Sequence, residues 1–223
     1  MQPDLKPPPP GWSDAELAHR VAAGEREAFT VLMRRHNRSL YRAARSILRD
    51  DAEAEDALQD AYLLAFGAIG QYRADAKLGT WLTRIVVNEA LARARRGRRR
   101  AEVIQLDGMA EPGEEQDMSN GERESPENAA MRAQMRLLLE QSIDQLPDAF
   151  RTVFVLRAVE EMSGEEVAAC LGIPEATVRS RFFRARSLLR AALAQRVDVA
   201  LEDAFAFDGE RCDRIVAGVL ARL

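Results

Sequence analysis

The stretch Ser163-Gly164-Glu165-Glu166-Val167-Ala168-Ala169-Cys170-Leu171-Gly172-Ile173-Pro174-Glu175-Ala176-Thr177-Val178-Arg179-Ser180-Arg181 decides the fold. A serine three residues ahead of a glutamate is a capping box, in which each side chain satisfies a backbone N–H that the first turn of a helix leaves open. The helix so started offers Val167, Ala168 and Leu171 for burial. It stops at Gly172, a residue that enters the left-handed conformation without steric cost. Pro174 is tolerated in the first turn of the helix that follows, because its missing N–H would be unsatisfied there anyway. Two short helices around a tight glycine turn make a helix-turn-helix.

At about 100° per residue, Val178, Phe182, Ala185 and Leu189 fall on one stripe of the second helix and are predicted to face the core. Ser180, Phe183, Arg184 and Ser187 lie roughly opposite, with Thr177 and Arg181 on one flank and Arg179, Arg186 and Arg190 on the other. Arginines suit guanine edges and phosphates, and small hydroxyls permit close approach to a groove. A solvated basic face would also carry arginines. The cap, the glycine turn, the proline start and the opposed faces together favour a DNA-reading helix.

The 223-residue chain has a formal net charge of −4, which taken alone argues against a nucleic-acid partner. Its distribution reverses that reading. Arg84–Arg100 holds seven arginines and one glutamate, Glu102–Glu127 nine acids and one arginine, and Arg179–Arg190 five arginines and no acid. Two basic helices separated by an acidic strip point to two DNA-contacting modules and a connection that DNA repels. Cys170 and Cys212 with His19 and His36 lack the clustering of a metal site, so no metal or cofactor is expected, and Cys170 reads as a small core residue. No apolar run approaches membrane-spanning length and no basic-then-apolar leader opens the chain, so a cytoplasmic protein without membrane insertion is expected. Met1–Pro10 ends in four prolines and reads as a disordered tail.

Period-3.6 patterns recur elsewhere and alternating strand patterns do not, giving an all-α chain. Helices are predicted at about 14–23, 26–48, 52–70, 80–97, 127–145, 148–159, 164–171 and 174–194. On the third, Leu58, Ala61, Tyr62, Ala65, Phe66 and Ile69 make the core stripe. Asp56, Gln59, Asp60 and Leu63 make a second, acidic patch whose apolar member suggests a protein-binding surface. The fourth opens on Thr80 as a candidate N-cap. Along it Trp81, Arg84, Asn88, Leu91 and Arg95 share a stripe, in which an aromatic, an amide and two arginines suit stacked bases and phosphates. Trp81 fits a core position equally well. The polar loop Gln71–Gly79 before it is placed to border a nucleotide pocket.

The sequence 51–60 (DAEAEDALQD), followed by Leu78-Gly79-Thr80-Trp81-Leu82-Thr83-Arg84-Ile85-Val86-Val87-Asn88, resembles region two of the sigma-70 family. Leu146-Pro147, Leu156-Arg157 and 172–181 (GIPEATVRSR) resemble region four. With these two regions alone, over about residues 20–195, the chain is similar to the extracytoplasmic-function (group IV) sigma factors. The resemblance implies a non-enzymatic factor that directs core RNA polymerase to specific promoters in a regulated stress or envelope response. It implies that Asp56, Gln59, Asp60 and Leu63 meet the clamp helices of the polymerase β′ subunit, with the β flap as a further contact. Tyr72, Trp81, Arg84, Asn88 and Arg95 would engage the melted −10 element. Thr177, Arg179, Ser180, Arg181, Phe183 and Arg184 would read the −35 element. An anti-sigma factor is the implied regulatory partner.

The expected architecture is a Pro-rich tail (1–12), a region-two helical bundle (13–100), a flexible acidic linker (101–126), a region-four helix-turn-helix (127–195) and a C-terminal extension (196–223). The apolar positions Ile215, Val216, Val219, Leu220 and Leu223 follow helical spacing and are expected to pack on one of the two domains. The competing reading is a stand-alone helix-turn-helix regulator, which needs a dimer interface and leaves the N-terminal motifs unexplained. No nucleophile motif, phosphate loop or paired-carboxylate signature supports an enzyme.

Overall fold

A computed structural model describes residues 11–104, 126–203 and 209–222. Nine α-helices are described: α1 (Asp14–Ala22), α2 (Arg26–Leu48), α3 (Asp51–Ala68), α4 (Leu78–Ile104), α5 (Pro126–Asp144), α6 (Asp148–Phe154), α7 (Gly164–Leu171), α8 (Glu175–Asp203) and α9 (Gly209–Leu220). A short 3-10 turn, Ile69–Gln71, follows α3, and a π-helical segment, Val155–Val159, continues α6. No strand occurs among the described residues.

Local chemistry sets the breaks. Ser13 with Glu16 and Ser163 with Glu166 form complete capping boxes at the starts of α1 and α7. The Asp50 carboxylate accepts from the Glu53 N–H at the start of α3. Gly172 ends α7 at φ 63°, in the left-handed region that glycine enters without a Cβ clash. Arg49 ends α2 in the same conformation, at φ 62°.

In the N-terminal half α2, α3 and α4 pack around Leu32, Leu40, Leu78, Leu82, Val86 and Val87, all essentially without solvent contact. The side of α3 that enters this core is lined with alanines (Ala54, Ala57, Ala61, Ala65), whose small side chains let the helices approach closely. The predicted core members Leu58, Tyr62 and Ile69 are buried too. Phe66 differs: it lies at the margin, 41% exposed, with its ring 5.0 Å from that of Phe29. In the C-terminal half Val178, Ala185 and Leu189 of α8 are buried as expected, and Phe182 stacks on Phe154 at 6.2 Å. Cys170 is 3% exposed, and burial pushes its thiol up to about 11.

The two helical domains also touch one another directly. Val153, Leu156, Met162, Val167, Cys170 and Val178 join the N-terminal core in one continuous apolar cluster. Arg151 is fully buried at this junction. Its Nε donates to the Ser46 carbonyl of α2 at 2.7 Å, while Nη1 and Nη2 hold the Leu146 carbonyl and Asp148.

Several boundaries move. Helix α4 starts at Leu78, so Thr80 sits inside it and is no N-cap; its hydroxyl donates across to Glu166 of α7 at 2.9 Å. Helices α4 and α8 run on to Ile104 and Asp203, past the expected ends near 97 and 194, because arginine, alanine and leucine are good helix formers; in α4 the arginines on both sides carry the helix through Gly97. The acidic linker expected over 101–126 therefore begins inside α4, and its remainder (105–125) lies outside the described residues, as does the proline-rich segment 1–10. In the extension, Ile215, Val216, Val219 and Leu220 are half or more exposed rather than packed. Truncation after Asp203 is accordingly expected to leave the melting temperature within about 2 °C of the full chain, since ~0.5 kcal/mol is the usual ceiling for surface changes. A fall of several degrees in differential scanning calorimetry would show that the tail packs.

Candidate nucleic-acid interface

On α8 the residues expected to read DNA face outward. Arg179, Ser180, Phe183 and Arg184 are exposed, Phe183 by 77%, and Thr177 and Arg181 flank them half-buried. The Ser180 hydroxyl donates to the Thr177 carbonyl at 3.0 Å, leaving its lone pairs outward as acceptors. Arg179 is drawn back toward Glu175 at 3.3 Å, whereas Arg184 has no acidic partner among the described residues. Beneath this face Arg157 and Arg186 approach the Phe182 ring at 5.5 and 5.8 Å and hold it in place.

On the N-terminal half the loop between the 3-10 turn and α4 is closed by Tyr72, whose hydroxyl donates to the Ala76 carbonyl at 2.7 Å. Ala74 takes a left-handed conformation at φ 58° to make the turn. The Tyr72 and Trp81 rings meet at 5.6 Å with an interplanar angle of 53°. Trp81 packs partly against the core, as one of its two sequence readings expected, and its ring also meets Tyr72 of the loop. Arg84, Asn88 and Arg95 are exposed one after another along α4, and Leu91 between them is half-buried. Toward the end of the helix Arg96 and Arg98 join Arg49 of α2 in lining an open groove of about 620 Å³.

The acidic patch of α3 is also exposed: Asp56, Gln59 and Asp60 surround Leu63, itself 71% exposed. Sequence reasoning missed its organiser. Arg93 of α4 reaches across to pair with Asp60, with Glu53 at 3.3 Å and with Asp56 at 3.9 Å, and Glu89 lies behind it at 3.4 Å. The hydrogen bond that Arg93 donates to the Asp60 carboxylate raises the Arg93 pKa. Glu89 and Arg93 stand at i and i+4, a spacing visible in the sequence; the cross-helix partners are not. Leu64, 55% exposed, adds a second apolar side chain beside the patch.

His36 of α2 is a further residue the sequence did not mark. Its ring lies against Gly79 in the first turn of α4, with Nε2 buried and without a hydrogen-bond partner, and burial lowers its pKa. Asp14 opposes that shift and Arg35 adds to it. The folded state therefore favours neutral His36, and its contribution to stability is present above the unfolded value near 6.5 and fades as pH falls below it. Melting temperature is expected to drop between pH 7.5 and 5.5, and His36→Phe should flatten that drop. An equal drop in the variant would assign it to other groups.

Among the described residues no His/Cys/Asp/Glu group is arranged to hold a metal, and no helix is long and apolar enough to cross a membrane.

Residues 32–100 match the family model "Sigma-70 region 2" and residues 136–189 match "Sigma-70, region 4". The chain is 37% identical to the RNA polymerase sigma-H factor of Pseudomonas aeruginosa, over 81% of this chain and 93% of that one. It is 38% identical to the ECF RNA polymerase sigma factor SigM of Mycobacterium tuberculosis, over 81% and 85% of the two chains. Among solved structures it is similar to CnrH in complex with the cytosolic domain of CnrY, with 28% identity, a TM-score of 0.56, and 82% of this chain and 97% of that one covered. The fold is also shared with the sigma factor RpoE of Bartonella quintana in complex with the anti-sigma factor NepR, at 23% identity, a TM-score of 0.58, and 74% and 96% coverage.

Proposed function

The chain belongs to the extracytoplasmic-function (ECF) branch of the sigma-70 family and is an RNA polymerase sigma factor, and on that premise we propose how its surfaces divide the work of initiation. Region two, over 13–100, carries polymerase binding and strand capture; region four, over 127–195, carries duplex reading. The patch Asp56, Gln59, Asp60 and Leu63, with its carboxylates set by Arg93, docks on the β′ clamp helices, and region four takes the β flap. Arg179, Ser180, Phe183 and Arg184 enter the major groove at the −35 element, flanked by Thr177 and Arg181. Phosphate contacts by these arginines displace counterions and make binding salt-sensitive. Tyr72 and Trp81 then receive bases of the opened −10 strand, while Arg84, Asn88 and Arg95 hold its edges and backbone. Unstacking costs a few kcal/mol, which stacking on the aromatic pair offsets.

The observation that carries this reading is the coexistence, in one chain, of an outward helix-turn-helix face and an aromatic-bordered loop ahead of a basic helix. A stand-alone regulator needs only the first. The chain acts without catalysis of its own, in the cytoplasm where polymerase works. An anti-sigma factor is its regulatory partner, a reading supported by the solved complex of the related CnrH with the cytosolic domain of CnrY. Gel filtration with purified core polymerase provides the test. Co-elution is expected, and independent elution together with promoter binding by a dimer would establish the stand-alone regulator instead.

A further inference from the structure

We propose that His36 of α2 is a positioning residue for strand capture: its uncharged ring seats the first turn of α4, and charging that ring unseats Trp81 and the loop before it while the duplex-reading face of α8 is unaffected. The proposal rests on the assignment of that loop to the melted strand given above.

The loop from Tyr72 to Lys77 is supported at both ends by groups outside it. At its far end the Trp81 N–H donates to the Lys77 carbonyl at 3.1 Å and closes the first turn of α4. His36 lies beside that turn. A methyl group on Gly79 would meet its Cε1 and Nδ1 at 3.5 Å, an ordinary van der Waals contact, so the ring fills the space next to the helix start. At the near end α1 packs on the 3-10 turn that precedes Tyr72. Arg35, next to His36 on α2, ties α1 down by donating to Asp14 and to the Trp12 carbonyl, both at 2.8 Å. Asp14 is close enough to both His36 and Tyr72 to bear on their charge. Tyr72 and Trp81, whose rings meet at 5.6 Å, therefore share one support.

This support needs a neutral ring. His36 Nε2 is buried without a hydrogen-bond partner, and an imidazolium would set an N–H there with no acceptor. It would also stand beside the first-turn N–H groups of α4, which lack intrahelical acceptors and give that helix end a partial positive charge. The first turn itself, Leu78–Leu82, carries no titratable side chain to offset this. Of the charged groups facing His36 from α1 and α2, Asp14 favours the imidazolium and Arg35 opposes it. The Asp14 carboxylate is already paired with Arg35. Burial is the largest influence and decides for the neutral form.

The experiment uses the polymerase holoenzyme on a promoter that it selects itself, between pH 7.5 and 5.5 and well below the melting temperature of each chain. Permanganate reactivity reads the opened −10 strand, and footprinting of the −35 element reads duplex binding. Wild type and His36→Phe are compared at each pH, so that the polymerase's own pH dependence cancels. As pH falls, the wild type should lose opening relative to His36→Phe by up to about tenfold, the most by which a neutral fraction falls one unit below 6.5. Protection at −35 should stay equal in the two. General protonation strengthens a protein's hold on phosphate, so a loss runs against that background. His36→Arg, charged at every pH, should open poorly throughout and protect −35 normally. Parallel opening profiles for wild type and His36→Phe would overturn the proposal. So would loss of −35 protection in step with opening, which marks general unfolding. If circular dichroism shows that His36→Phe does not fold, the uncharged His36→Gln takes its place with the same expected and overturning results; if His36→Arg does not fold, the pH comparison decides. Trp81→Ala tests the loop assignment separately. Normal opening in it would refute that assignment and the proposal with it, whereas impaired opening beside parallel pH profiles would overturn the role of His36 alone.

Discussion

Arg151→Ala is expected to destabilise the protein by about 3–5 kcal/mol, the range for breaking a buried charge network, and to leave the C-terminal half unfolded or aggregating at 37 °C. The side chain is fully buried and donates to Ser46, Leu146, Asp144 and Asp148, so it bridges α2, the α5–α6 connection and the start of α6. Truncation leaves a large cavity and strips these acceptors of their donor, and an orphaned buried carbonyl costs about 1–3 kcal/mol. The Ser46 carbonyl keeps only the longer Thr152 hydroxyl bond at 3.3 Å. Arg151→Lys should recover little, because one ammonium cannot reproduce the guanidinium fork. Urea unfolding monitored by circular dichroism measures the loss; a change below about 1 kcal/mol would mean that water replaces the network.

Arg184→Ala is expected to weaken promoter binding by about 1–3 kcal/mol, the discrimination of one bidentate base contact, or roughly five- to 150-fold. The residue is exposed at the centre of the outward face, beside Ser180 and Phe183. The folded core does not depend on it, so stability should be unchanged. Footprinting of the polymerase complex should lose protection at the −35 element selectively. Salt titration separates two roles: a base reader leaves the salt slope intact and relaxes specificity, whereas a phosphate contact lowers the slope by about one. Unchanged footprints would move the reading face elsewhere on α8.

Features governed by neighbours in the chain were legible. The Ser163–Glu166 cap, the left-handed Gly172 and the buried stripe of α8 follow from three- to four-residue rules, and the structure reproduces each. Features built by distant segments were not. Arg151 reads as an ordinary polar residue early in a helix, and only the meeting of α6 with α2, some hundred residues earlier, makes it a buried bridge. Thr80 has the chemistry of an N-cap, but its hydroxyl is taken by Glu166, 86 positions away. Phe66 belongs to the apolar stripe by angle, yet the alanines of α3 occupy the close-packed side and leave it at the rim. Arg93 belongs to a basic run whose charge suits DNA, and it faces the acids of α3 instead.

The most direct test of the sigma assignment is transcription of genomic DNA by purified core polymerase with and without this protein, followed by sequencing of RNA 5′ ends. The account predicts that the protein focuses initiation onto a small set of start sites sharing −35 and −10 elements, and that Asn88→Ala reduces permanganate reactivity at those sites while duplex affinity survives. Start sites as scattered as those of core polymerase alone would contradict it.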